Sequence, residues 1–97
     1  MNIAVIIPTF NRRKFLGRAI DSVLSQTRPA HEVFVIDDGS TDGTAQWLKK
    51  EYPIVKLIEQ ANQGVSAARN AGIQQAQSEW IALLDSDDEW FPKKLER

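Results

Sequence analysis

Three aspartates, Asp85, Asp87 and Asp88, crowd into four positions directly behind the apolar run at 81–84. Like charges this close repel unless a cation neutralises them. Asp85 and Asp87 are two apart, so in extended chain their side chains project to one side. A D-x-D pair of this kind suits a hard dication, Mg²⁺ or Mn²⁺, which takes one or two carboxylates and completes its shell with water and phosphate oxygens. The competing reading is a solvated acidic helix start ahead of Pro92, where Asp88 meets the positive end of the dipole. An EF-hand loop is excluded, because Trp90 stands where the turn needs glycine and Pro92 interrupts the loop.

Three further polar clusters accompany this one. In "IDDGSTDG" the doubled Asp37–Asp38 offers carboxylates that can accept hydrogen bonds from a nucleobase imide or a ribose hydroxyl. Gly39 and Gly43 suit tight turning, and Thr41 or Asp42 suits the cap of a following helix. In "PTFN" no glycine precedes Gly17, so the glycine-rich dinucleotide fingerprint is excluded. Backbone atoms of Pro8, Thr9 and Phe10 can instead flank a base, with Phe10 either a stacking face or a core residue and Asn11 a helix cap. In "GVSAARNAG" Arg69 is the one cation among small residues. It can reach a diphosphate or pair with an acidic loop. Trp47, Trp80 and Trp90 read as packing, with Trp90 also able to wall a pocket beside the aspartates.

These clusters need a scaffold, and the hydrophobic pattern supplies one. Residues 3–7, 33–36, 54–58 and 80–84 are short apolar runs that read as strands. Between the first two, Phe15, Leu16, Ala19, Ile20, Val23 and Leu24 recur at helical spacing. Helices are also predicted over 44–50, ended by Pro53, and over 65–76, where the small residues let the helix lie close to a sheet. Pro92 opens a last helix. Strict strand–helix alternation implies parallel strands, right-handed crossovers and helices on both faces, a Rossmann-like α/β layout. All four polar clusters then fall at the carboxyl edge of the sheet, where such folds bind ligands.

Composition narrows the function. The chain has 97 residues, one domain's worth, and a formal net charge of −1, with no basic field for nucleic acid. It has no cysteine, so thiolate chemistry and disulfides are excluded, and its single histidine, His31, reads as a surface residue. No apolar run is long enough to span a bilayer, and the N-terminus reads as a strand. A cytoplasmic location is expected, with the full-length protein able to associate with the cytoplasmic face of a membrane.

Together, "VIIPTFNR", "SVLSQT", "VIDDGSTDGT", "NQGVSAARNAG" and "IALLDSDDEW" resemble, in order and approximate spacing, the family-2 glycosyltransferases of GT-A fold, across residues 3–95. The resemblance implies strand order 3-2-1-4 and makes residues 1–97 the nucleotide-sugar-binding half of a longer glycosyltransferase domain. It implies that Pro8, Thr9 and Phe10 border the base, that Asp38 with Asp37 recognises base or ribose, that Asp85 lies near the ribose, and that Asp87 ties Mg²⁺ or Mn²⁺ to the donor diphosphate. The implied donor is a nucleotide-diphosphate sugar, a UDP-sugar foremost. The acceptor is a carbohydrate or lipid-linked hydroxyl, and transfer inverts the anomeric carbon with a general base supplied beyond Arg97. The half-domain alone is expected to be inactive and to self-associate through the edge of its fourth strand, the stub after Pro92, or both. Two other classes compete. A receiver-type phosphoacceptor domain would need an acid pair after strand one and a lysine after strand five, and neither is found. A catalytically silent nucleotide-sugar binding or assembly module is the alternative to an enzyme.

Overall fold

The computed structural model describes residues 2–27 and 29–86. Its elements alternate as expected: β1 (Ile3–Thr9), α1 (Arg13–Leu24), β2 (Glu32–Asp37), α2 (Thr44–Glu51), β3 (Lys56–Glu59), α3 (Val65–Gln75) and β4 (Trp80–Leu83). The strands form one sheet in the order β3-β2-β1-β4 with every neighbouring pair parallel. The helix expected after Pro92 lies outside the described residues, as do Asp87, Asp88 and Trp90.

β1 is central and buried along its whole length, which is why its sequence is a continuous apolar run and not an alternating one. The pleat divides it between two cores. Ile3, Val5 and Ile7, with Val35 of β2, meet Leu16, Ala19, Ile20 and Val23 of α1 and Leu48 of α2. Ala4 and Ile6, with Phe34 and Ile36 of β2, meet Ala68 of α3 on the other face. α3 lies so close to the sheet that a Cβ on Gly72 would sit 2.6 Å from Ile6 Cγ2 and 2.8 Å from Ile36 Cδ1. The small residues of "GVSAARNAG" therefore do the packing job read from them.

α1 and α2 lock together on the opposite face. The Trp47 ring lies against Gly17 and meets Tyr52 edge-on with centroids 5.5 Å apart. The Tyr52 hydroxyl donates to Asp21 Oδ1 at 2.7 Å. Burial first, and the Asp21 carboxylate second, push the phenol up to about 12. At the amino end of the sheet, Glu32 is buried and accepts from Ser78 Oγ at 2.6 Å, from Gln77 N at 3.0 Å and from Lys56 Nζ at 3.2 Å. The Ser78 hydrogen bond is the strongest influence on this carboxyl, and it holds the pKa below the usual range against the opposing effect of burial. Glu32 thus ties β2 to β3 and to the connection from α3 into β4.

Three local expectations are corrected. β3 begins at Lys56, not Ile54, because Val55 N donates to Tyr52 O at 3.1 Å and closes a turn around Pro53; Ile54 is left 76% exposed while Val55 enters the core. Asn11 does not cap α1: it adopts φ 51, and the helix begins two residues later. Asparagine is among the few residues that tolerate this left-handed conformation. Trp80 packs less than its type suggests, since it is 56% exposed on β4, whose described sheet neighbour is β1 alone.

Candidate functional site

The chain order of the sheet reverses beside β1, which has β2 on one side and β4 on the other. Ligands of open parallel sheets bind at such a point, beyond the carboxyl ends of the strands. A cavity of about 590 Å³ opens there. The end of β1 and its loop contribute Pro8, Thr9, Phe10, Asn11 and Arg12 to its wall; β2 contributes Asp38; β4 leads into Asp85 and Ser86; and the first turns of α3 contribute Val65 and Ala68.

The loops around this cavity are stitched to one another. Asp38 N donates to Thr9 O at 2.9 Å. The Asp38 carboxylate, buried at 4% exposure, organises the connection from β3 to α3. Its Oδ1 accepts from Gln60 Nε2 at 2.8 Å and Gln63 N at 2.9 Å, and its Oδ2 accepts from Gly64 N at 2.9 Å. Burial alone would raise this carboxyl, but the three hydrogen bonds outweigh it and hold the pKa below its ordinary value. A carboxylate has about four lone-pair sites, so acceptor capacity remains on Oδ2. Gly64 adopts φ 98 and ψ 165, a region essentially closed to residues with a Cβ. Glycine is thus what lets this N–H reach Asp38.

The neighbouring Asp37 has a different job. It is buried, and its Oδ1 accepts from Ser40 N at 2.9 Å, fixing the turn after β2. It does not line the cavity. Across the gap, Asn11 N donates to Ser40 Oγ at 2.9 Å and Asn11 Oδ1 accepts from Thr41 N at 2.8 Å. Asp42 Oδ2 accepts from Arg13 N at 3.2 Å, while Asp42 Oδ1 accepts from both Thr44 N and Thr44 Oγ1. Burial pushes the Asp42 carboxyl up, and these donors, Thr44 Oγ1 foremost, bring it below its ordinary value.

Phe10 is 42% exposed, with its ring on the cavity and not in the core. Beside it Thr9 is buried, and its Oγ1 has no hydrogen-bond partner among the described residues. A buried hydroxyl in that condition is stabilised by any ligand that supplies a donor or acceptor. At the β4 side Arg69 Nη2 contacts Asp85 Oδ1 at 3.1 Å. Of the two possibilities open for Arg69, this geometry realises the pairing with the acidic loop.

The structure thus brings Pro8, Thr9, Phe10, Asp38 and Asp85 to one cavity, sets Arg69 against Asp85, and leaves Asp37 in the turn behind. Asp87 lies outside the described residues. Among those described, no group of three or more His, Cys, Asp or Glu side chains converges on a common point. A dication that draws most of its ligands from diphosphate and water needs only one or two carboxylates, and the hard oxygen donor Asp85 fits that chemistry. Sequence reading missed Arg12, Val65, Ala68 and Ser86. Val65 and Ala68 stand three apart on one helix face, a spacing that signals a shared surface, but it is equally a packing signature.

A family model described as "Glycosyl transferase family 2" matches residues 4–97. An uncharacterised glycosyltransferase of Nostoc sp. is 46% identical over 101 residues, covering 100% of this chain and 31% of the relative. A crystal structure of S. aureus TarS 1-349 in complex with UDP-GlcNAc superposes with a TM-score of 0.85 at 33% identity, over 99% of this chain and 29% of that one. The mannosyltransferase PcManGT from Pyrobaculum calidifontis, in complex with GDP-Man and Mn²⁺, superposes with a TM-score of 0.79 at 29% identity, over 92% of this chain and 28% of that one. The chain therefore spans 28–31% of the length of each of these three proteins.

Proposed function

The chain belongs to glycosyl transferase family 2, and from that premise we propose that it is the donor-binding part of an inverting enzyme that transfers a sugar from a nucleotide diphosphate to an acceptor hydroxyl. The observation that carries this reading is the cavity at the carboxyl ends of β1, β2 and β4, with an aromatic face, a buried unpartnered hydroxyl and two carboxylates on its walls. Phe10 offers its ring to a base, and Pro8 and Thr9 offer the edge beside it. Asp38 meets base or ribose through the acceptor capacity left on Oδ2, while Asp37 supports that carboxylate from the turn behind. Asp85 meets the ribose. Arg69, beside Asp85, is placed to trade its carboxylate for a diphosphate oxygen.

A divalent ion, Mg²⁺ or Mn²⁺, would be held by Asp87 with Asp85 and would supply Lewis-acid neutralisation of the departing diphosphate. The Mn²⁺ in the mannosyltransferase complex supports that assignment. The residues of this chain bind and orient the donor. The acceptor hydroxyl loses its proton to a general base that we assign outside these 97 residues, in the greater part of the protein that the longer relatives carry. Among donors a UDP-sugar is favoured, on the similarity to the TarS complex with UDP-GlcNAc; the acceptor is a carbohydrate or lipid-linked hydroxyl.

Calorimetric titration of UDP, with and without Mn²⁺, tests the reading. Binding should strengthen with Mn²⁺ and lose that dependence in Asp87→Ala. Binding indifferent to the ion, or an Asp87→Ala variant with unaltered ion dependence, would overturn the metal assignment. Absence of any UDP, GDP or other nucleoside diphosphate binding would overturn the nucleotide assignment.

A further inference from the structure

We propose that Asp42 is a positioning residue for the nucleotide: its carboxylate, shared between the starts of α1 and α2, sets residues 10–12 as a wall of the cavity. The inference rests on the donor-binding reading above and extends it to a side chain that does not itself line the cavity.

Phe10, Asn11 and Arg12 are exposed and all face the cavity. They have no strand or helix of their own; they bridge Thr9, the last residue of β1, and Arg13, the first of α1. The middle residue is in a left-handed conformation, φ 51, which a non-glycine residue keeps only when its surroundings hold it there. Among the described residues, the loop after β2 supplies the ties on this bridge from outside its own helix. Asp38 N holds Thr9 O, Ser40 Oγ and Thr41 N hold Asn11, and Asp42 holds Arg13.

Asp42 anchors the far end of that bridge twice. Its Oδ2 accepts from Arg13 N at 3.2 Å, and its carbonyl accepts from Arg13 Nη1 at 3.3 Å. Gly43 is the N-cap of α2, and Asp42, one residue before it, already satisfies the first N–H of that helix, Thr44 N, through Oδ1. The second oxygen reaches a helix that begins 29 residues earlier in the chain. It spends its charge on the first free N–H of α1, where a carboxylate is favourable. Removing it frees the start of α1, and with it the three residues that present Phe10.

The test separates positioning from mere stability. Two variants are compared with the wild type: Asp42→Ala, which removes both carboxylate links and leaves to α1 only the bond from Arg13 Nη1 to the residue 42 carbonyl, and Thr44→Val, which removes one hydroxyl from the α2 link and leaves the Arg13 link intact. The first measurement needs no nucleotide. Amide hydrogen exchange at Asn11 and Arg13 should accelerate in Asp42→Ala and not in Thr44→Val, while Gln63 and Gly64, held by Asp38, keep their protection in both. Unchanged exchange at Asn11 and Arg13 in Asp42→Ala overturns the proposal.

The second measurement titrates UMP and, separately, Mn²⁺ with inorganic pyrophosphate. Loss of a side-chain cap corresponds to about a fivefold weaker association, expected for UMP in Asp42→Ala, with Mn²⁺–pyrophosphate unaffected. Equal weakening of both probes means a general loss of structure and overturns the proposal. If the wild type binds no nucleotide, the donor-binding reading fails on its own, and the exchange pattern still decides whether Asp42 holds the wall.

Discussion

Gly72→Ala probes the tightest of the glycine positions among the described residues. The new Cβ would lie 2.6 Å from Ile6 Cγ2, 2.8 Å from Ile36 Cδ1 and 3.1 Å from Ile6 Cδ1. Neither isoleucine has room to retreat, since both are 0% exposed and wedged between α3 and the rest of the sheet. The Cγ2 methyl is attached to a β-branched carbon with one preferred rotamer, so it cannot swing aside. Overpacking of this kind costs roughly 1–3 kcal/mol. Alanine recovers up to about 1 kcal/mol through its higher helix propensity. Contacts as short as 2.6 and 2.8 Å place the overpacking in the upper part of its range, about 2–3 kcal/mol, so the net expectation is a loss of about 1–2 kcal/mol, which for a domain this small lowers Tm by about 5–15 °C.

Thermal and urea unfolding followed by circular dichroism would measure the loss. The same contacts predict a partner. Ile36→Val deletes Cδ1, the atom at 2.8 Å, and by itself costs about 0.5–1.5 kcal/mol. In the double variant the two losses should fall short of additivity by at least about 0.5 kcal/mol. A Gly72→Ala protein as stable as the wild type, or strict additivity with Ile36→Val, would refute the claim that α3 is seated by the absence of a side chain.

Three further outcomes are expected. Glu32 has a folded pKa below its ordinary value of 4.5, so its stabilisation is complete above that value and is lost as pH falls through the folded pKa. Stability measured from pH 6 to pH 3 should therefore drop in the wild type and drop less steeply in Glu32→Gln, which begins lower; parallel curves would show that Glu32 has no part in acid sensitivity. Asp38 is lowered in the same direction, and Asp38→Asn sets an amide N–H donor against either the Gly64 N–H or the Gln63 N–H, so UDP affinity and melting temperature should fall together; an unchanged melting temperature would sever Asp38 from the loop it holds. Trp80, Ile81 and Leu83 are exposed on β4, an apolar edge of the kind that recruits other chains, so sedimentation should reveal concentration-dependent association that Leu83→Lys suppresses; a wild type that stays monomeric across the series would contradict this.

The order of elements, both faces of the sheet and the clustering at its carboxyl edge were legible because each rests on local pattern: short β-branched runs, helical spacing, and turn residues behind each strand. Sequence offers Asp42 or Thr41 as the cap of α2, but the cap is Gly43; Asp42 binds the first N–H of α2 and of α1, and the second bond joins segments that only the fold brings together. Asn11 was misassigned for the same reason. Its residue type suits both a helix cap and a left-handed bridge, and Ser40 and Thr41 decide between them. Arg69 was left open between phosphate and carboxylate, and without a ligand it takes Asp85. Glu32 carried no signal at all, since its partners Gln77 and Ser78 reach it from the far side of α3.

The position of β1 also governs how the chain assembles in time. Ala4 pairs with Glu32, while Ile3 pairs with Trp80, so β1, which precedes the other three strands of this sheet in the chain, is the last of them to gain its second neighbour. Synthesis proceeds at roughly 5–20 residues per second, and during that interval one edge of the most apolar strand in the molecule stands open. Pairings that span so much sequence are slow to form, because the loop they close must be fixed before any contact rewards it. The cavity is equally late, because one of its walls is Asp85 and Ser86, just past β4. Nucleotide added during refolding should therefore act only on the closing step, slowing the unfolding of finished molecules without hastening the formation of the β1–β2–β3 core.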